Sequence, residues 1–81
     1  MKFRLRFANK RHAVLFGRYD RYTSDAEMRE IYKRAVVCRL TTYSFVIMGS
    51  EVDSLEGLLN SSKFFRLQRN VDYFIQVHSL E

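Results

Sequence analysis

The sequence predicts an α+β fold: a two-layer sandwich with a four-stranded, mostly antiparallel sheet and two helices on one face. Three observations predict it. The N-terminus and the C-terminal end both alternate apolar and polar residues with period 2, and two capped stretches with helical spacing lie between them. Each strand pattern has one apolar side, and the helical stripes need a surface to cover, which places both helices on the same face. With the run from His12 to Phe16 read as a strand, the order is β-β-α-β-α-β. If that run is irregular and the stretch from Ala35 to Met48 divides into two strands, the order becomes the ferredoxin-like βαββαβ arrangement, which is the alternative.

The first element is the clearest. In Lys2-Phe3-Arg4-Leu5-Arg6-Phe7 the apolar residues occupy odd positions and the cations even ones, the pattern of a strand with one buried and one wet face. Asn9-Lys10-Arg11 reads as a turn and His12-Ala13-Val14-Leu15-Phe16 as a second strand, which makes an N-terminal hairpin ended by Gly17. Ser24-Asp25-Ala26-Glu27 fits a capping box with Ser24 as the cap. Met28, Ile31, Tyr32, Ala35 and Cys38 follow at helical spacing, with Asp25/Arg29 and Glu30/Arg34 as acid-first pairs four apart.

Val36 and Val37 weaken the end of that helix, and Thr41 to Met48 reads as the most buried strand, ended by Gly49 and Ser50. Asp53 caps a second, shorter helix with a Leu55, Leu58, Leu59 stripe, weakened by Gly57. The segment from Asn60 to Asn70 is open between a last helical turn with a loop and an extended edge. Val71 to His78 closes the chain as a strand, with Val71, Tyr73, Ile75 and Val77 on its buried side.

The chain has 81 residues and a formal charge of +5, enough for one small domain whose core leaves only a few kcal/mol of net stability, roughly 3 to 5. A homodimer is therefore expected. Its aromatic content, three glycines and lack of proline exclude intrinsic disorder, and its charge excludes an acidic nucleic-acid mimic. No linker or repeat divides it, so a single basic domain is expected over residues 1–79, with Leu80 and Glu81 read as the scar of an affinity tag. Cys38 is the only cysteine, so no intramolecular disulfide forms; no metal site and no cofactor is expected. A cytoplasmic location is expected, with no membrane partner, because no apolar stretch reaches the length of a bilayer span.

The charge is unevenly spread. Residues 1–22 hold seven cations and one anion, a local charge of +6, while the remainder comes to −1. Lys2, Arg4, Arg6, Lys10, Arg11, Arg18 and Arg21 lie among Phe7, Tyr19 and Tyr22, and a smaller cluster of Lys63, Arg66 and Arg69 lies beside Phe64 and Phe65. Guanidinium groups grip phosphates with paired hydrogen bonds, and bases stack on rings or on the guanidinium plane. The bland reading is equally concrete, since alternating cations also keep a sheet face solvated and interleaved aromatics are usually core.

The leading expectation is a small non-enzymatic binding protein whose basic hairpin engages RNA or another polyanion. These ten cations would be its phosphate contacts, and Tyr19, Tyr22, Phe64, Phe65 and Phe74 its stacking or interface residues. The second reading is a protein-targeting inhibitor or antitoxin-like factor of phage or mobile-element type, with Phe64, Phe65, Tyr73 and Phe74 as anchors. The third is a small basic ribonuclease using His12 and His78, or Arg18, Tyr19, Arg21 and Tyr22.

Overall fold

The computed structural model describes residues 1–61 and 65–78. It is a small α+β domain. Strand β1 (Lys2–Phe7) is followed by helices α1 (Lys10–Gly17), α2 (Tyr19–Tyr22) and α3 (Ala26–Ala35), then by strands β2 (Val36–Arg39) and β3 (Ser44–Met48). A 3-10 turn (Gly49–Glu51), helix α4 (Val52–Ser61) and strand β4 (Tyr73–Val77) complete it. The four strands form one antiparallel sheet in the order β2-β3-β1-β4.

The alternation of β1 sorts its side chains as the sequence indicates. Leu5 and Phe7 are fully buried, and they lie opposite Phe45 of β3 and Ile75 and Tyr73 of β4. Ala13, Phe16, Tyr19, Tyr32, Ala35, Leu55, Leu58 and Leu59 from the four helices join the same cluster, so the helical layer covers this side of the sheet. Phe16 is its hub: its ring centroid lies 5.1 Å from Phe7, 4.8 Å from Phe45, 5.1 Å from Tyr32 and 6.5 Å from Phe65. Tilted and edge-on pairs of this kind add to the burial energy.

The first correction concerns His12 to Phe16, which is part of α1 and not a strand, so there is no N-terminal hairpin. A short apolar run has no period of its own to separate the two states. Here the Asn9 side chain accepts from the His12 amide at 3.2 Å and starts a helix, and Ala13 and Phe16, three apart, turn inward.

The second correction lies after α3, where β2 begins at Val36 and the stretch from Ala35 divides into two strands. Cys38 is therefore exposed on an edge strand and not buried on a helical stripe. Thr41 to Tyr43 form the turn between β2 and β3, because the Thr41 hydroxyl accepts from the Tyr43 amide and pairs with Ser44 Oγ.

Asp25, not Ser24, caps α3, accepting from the amides of Glu27 (3.0 Å) and Met28 (3.3 Å). Arg29 donates to the Thr23 carbonyl and Arg34 to Glu51, so the expected pairs four apart give way to longer-range contacts. Helix α4 starts at Val52, which puts Asp53 inside its first turn.

Of the segment left open, residues up to Ser61 are helical, and Phe65 and Leu67 reach the core from an irregular stretch. Val71 is 59% exposed in the turn before β4, and Val77 is 58% exposed at its end, so only Tyr73 and Ile75 of the expected four face the core. Asn70 enters that turn at φ 67, in the left-handed region that asparagine tolerates.

Two substitutions of opposite sign check this packing. Phe16→Ala is expected to destabilise the fold by about 3–5 kcal/mol. Gly57→Ala, which places a methyl group in open space on α4, is expected to stabilise it by about 1 kcal/mol. Urea denaturation reads both, and a Phe16→Ala loss below about 1 kcal/mol contradicts the hub assignment.

Candidate nucleic-acid interface

The even residues of β1 face away from the helices. The ladder sets Lys2 opposite Met48, Arg4 between Val46 and Gln76, and Arg6 between Ser44 and Phe74, with Cys38 beside Val46 on the far edge. Lys2, Arg6, Gln76 and Cys38 are exposed, and Arg4, Met48, Phe74 and His78 are half-buried. Val46 and Ser44 are buried at 4% and 2% exposure but lie outside the helix-side core. Their ladder partners Arg4 and Arg6 carry long stems of the kind that cover small neighbouring side chains.

The electrostatics of this face are one-sided. Its described strand residues contribute three cations and no carboxylate. Asp72, just before β4, uses its Oδ2 to accept from the Gln68 amide at 2.8 Å. Arg4 Nε is buried and has no acceptor among the described residues, so a partly desolvated guanidinium sits here without the counter-charge that burial of an ion calls for. The Arg6 guanidinium lies over the Phe74 ring, 4.4 Å from its centroid.

The structure divides the remaining expected residues. Lys10, Arg11, Arg18 and Arg21 are exposed on α1, between α1 and α2, and on α2, in the layer across the sheet from β1's cations. The basic N-terminal segment is thus two surfaces and not one. Arg66 is exposed in the stretch before β4, whereas Arg69 donates to Glu56 Oε1 at 3.2 Å, which makes it a brace. Lys63 and Phe64 lie outside the described residues, as do Leu80 and Glu81.

Among the expected stacking residues, Tyr19 (3% exposed) and Phe65 (1%) are core members with ring centroids 5.7 Å apart, so neither can receive a base. Tyr22 is 52% exposed on the helical side, and Phe74 is the expected aromatic on the open sheet face. Tyr73, an expected interface anchor, is fully buried.

The two histidines are not brought together. His12 lies in α1 beyond the Phe7 end of β1, and the His78 amide donates to the Lys2 carbonyl at the other end. About 17 Å of strand separates those ends, so the pair does not form a joint acid/base site. No group of three His, Cys, Asp or Glu side chains able to hold a metal occurs among the described residues, nor is any helix of them long and apolar enough to cross a membrane.

Two features were hidden in the sequence. Arg39, the last residue of β2, lies over the Phe45 ring at 5.1 Å, in a stretch whose spacing suggests the end of a helix; a Cβ at Gly17 would meet its guanidinium, so Gly17 is what admits it. Beside β4, Tyr73 Oη donates to Glu56 Oε2 (2.9 Å) and accepts from Asn60 Nδ2 (3.0 Å), and the same amide donates to the Leu67 carbonyl (2.8 Å). This network ties α4 to the stretch that leads into β4. Nothing in the pattern of Glu56, Asn60 and Tyr73 marks it, because the three meet only after folding.

Comparison with protein-family models, curated proteins and solved structures finds no match. The reading of the site rests on its residues.

Burial, with Glu56 adding to it and the Asn60 hydrogen bond opposing it, pushes the Tyr73 phenol up to about 12 from the usual 10.0. Tyr32 is likewise raised to about 12 by burial and Asp20, against Arg39. A phenol raised in the folded state adds stability that is fully present below pH 10 and is lost as pH rises from 10 to 12. Stability is therefore expected to fall across that window, more gently in Tyr73→Phe, as read by chemical denaturation alongside tyrosinate absorbance. All five tyrosines titrating together near 10 in a folded protein contradicts the assignment.

Proposed function

We propose that this is a small non-enzymatic binding protein whose open sheet face engages RNA or another polyanion through Lys2, Arg4 and Arg6. The observation that carries the reading is Arg4, half-buried with its Nε shielded and without an acceptor among the described residues, on a face with three cations and no carboxylate. An arriving phosphate backbone supplies the missing counter-charge, and the guanidinium forks suit its oxygens. These are contacts that position a ligand without reading its sequence.

The topology supports an uncovered face. Two antiparallel pairings in succession make β1 parallel to β2 with β3 between them, and β3 parallel to β4 with β1 between them. With helices joining each parallel pair, the domain reads as the ferredoxin-like split βαβ arrangement, which keeps its helices on one side of the sheet.

The inhibitor reading loses two of its four anchors, since Phe65 and Tyr73 are in the core. A homodimer remains part of the proposal, but not by two open faces meeting. That contact would bring the three cations of each copy together, and opposed like charges cost free energy.

Charge reversal tests the assignment. Arg4→Glu with Arg6→Glu is expected to abolish RNA retention, while Arg18→Glu with Arg21→Glu reduces it much less, both with the wild-type circular dichroism spectrum. For the wild type, three phosphate contacts predict a slope of about −2 for log affinity against log salt with single strands. Undiminished retention in the Arg4/Arg6 double variant overturns the reading, and a nuclease-resistant stoichiometric protein partner favours the inhibitor in its place.

A further inference from the structure

We propose that Arg6 and Phe74 form a base-stacking position, so that the open face takes single-stranded nucleic acid in preference to duplex or to a polyanion without bases. The inference rests on the polyanion reading above and narrows its ligand. Arg6 and Phe74 are direct cross-strand partners on the central strand β1 and the edge strand β4. The Phe74 ring is half-buried and the guanidinium lies over it at 4.4 Å, while Arg6 itself is exposed. The ring takes one side of the guanidinium, and the residue as a whole stays exposed to solvent.

A guanidinium in this position has two free recognition elements. Its edge donors have no carboxylate partner among the described residues, so they remain available to a phosphate, and its outer plane is a surface on which a base stacks. The contact with Phe74 also restricts a long, flexible side chain before any ligand arrives, which lowers the ordering cost of binding. Phe74 therefore acts as a positioning residue for Arg6, in addition to widening the apolar platform.

The neighbours extend the position. Lys2, Arg4 and Arg6 follow each other at two-residue spacing along β1, about 7 Å apart, comparable to successive phosphates of a nucleic-acid strand. Exposed Gln76, opposite Arg4, offers amide donors and an acceptor at the next step. The spacing alone suits any phosphate chain. The stack is what selects, because bases paired inside a duplex present no free plane, whereas a single strand can splay one out.

The test compares three probes on the whole protein: a labelled single-stranded oligoadenylate, the same strand in a duplex with its complement, and inorganic polyphosphate as competitor. Anisotropy titrations are run for the wild type, Phe74→Leu and Arg6→Lys, each checked by its melting curve. The wild type is expected to bind the single strand more tightly than the duplex, and both variants to lose about tenfold for the single strand with polyphosphate competition for the remaining sites unchanged. Arg6→Lys keeps the charge, so its loss reports the plane. Equal affinities of the variants and the wild type for the single strand, or tighter binding of duplex, overturn the stack while leaving the polyanion face standing. Failure of all three probes to bind the wild type overturns both.

Discussion

The alternation along β1 is the constraint from which the rest follows. This strand has a neighbour on each side, β3 and β4, and its six residues send apolar side chains to one face and cations to the other. A shift of pairing by one residue would exchange the two sets, burying Lys2, Arg4 and Arg6 under the helices and exposing Leu5 and Phe7. The register is thus pinned by the cost of burying charge as much as by the gain of burying rings. Once β1 is fixed, Phe45, Ile47, Tyr73 and Ile75 take positions beside its apolar face, and the helices dock around Phe16.

The other side of the same alternation is a sheet face assembled from what the core rejects. The small and apolar residues of β3, Ser44, Val46 and Met48, lie opposite Arg6, Arg4 and Lys2, and Phe74 lies under the Arg6 guanidinium. Of the three cations, Arg4 is half-buried against the sheet, while Lys2 and Arg6 are exposed. That arrangement leaves Arg4 Nε buried and without an acceptor among the described residues, a local desolvation cost. The cations of α1 and α2 are all exposed, with no counterpart to the half-buried Arg4 or to the Arg6–Phe74 contact, which suits long-range attraction better than a defined contact.

The parts of the fold legible in the sequence are those where one face is strictly apolar. The alternation of Lys2 to Phe7, the Leu55, Leu58, Leu59 stripe, and the Tyr73 and Ile75 pair all face the core as their spacing indicates. The run from His12 to Phe16 was not legible, because its four consecutive apolar residues fit either period and Asn9, which reads as a turn residue, is in fact a cap. Val36 and Val37 signalled the end of a helix, and the strand that begins there is only four residues long with a register shift between Val36 and Cys38, too short to set up its own pattern. For the site, the charged face of β1 was readable from local alternation. Which rings are core and which are surface was not, since Tyr19 and Phe65 lie beside cations in sequence but pack against each other in space.

The central claim is that the cations of β1, and not those of the helical layer, receive the ligand. Backbone amide chemical-shift mapping during titration with a short single-stranded RNA tests it most directly. The account predicts that the largest shifts fall in residues 2–6 and 74–76, with small changes across 10–21. Shifts concentrated at Lys10, Arg11, Arg18 and Arg21, with β1 and β4 unmoved, would contradict it.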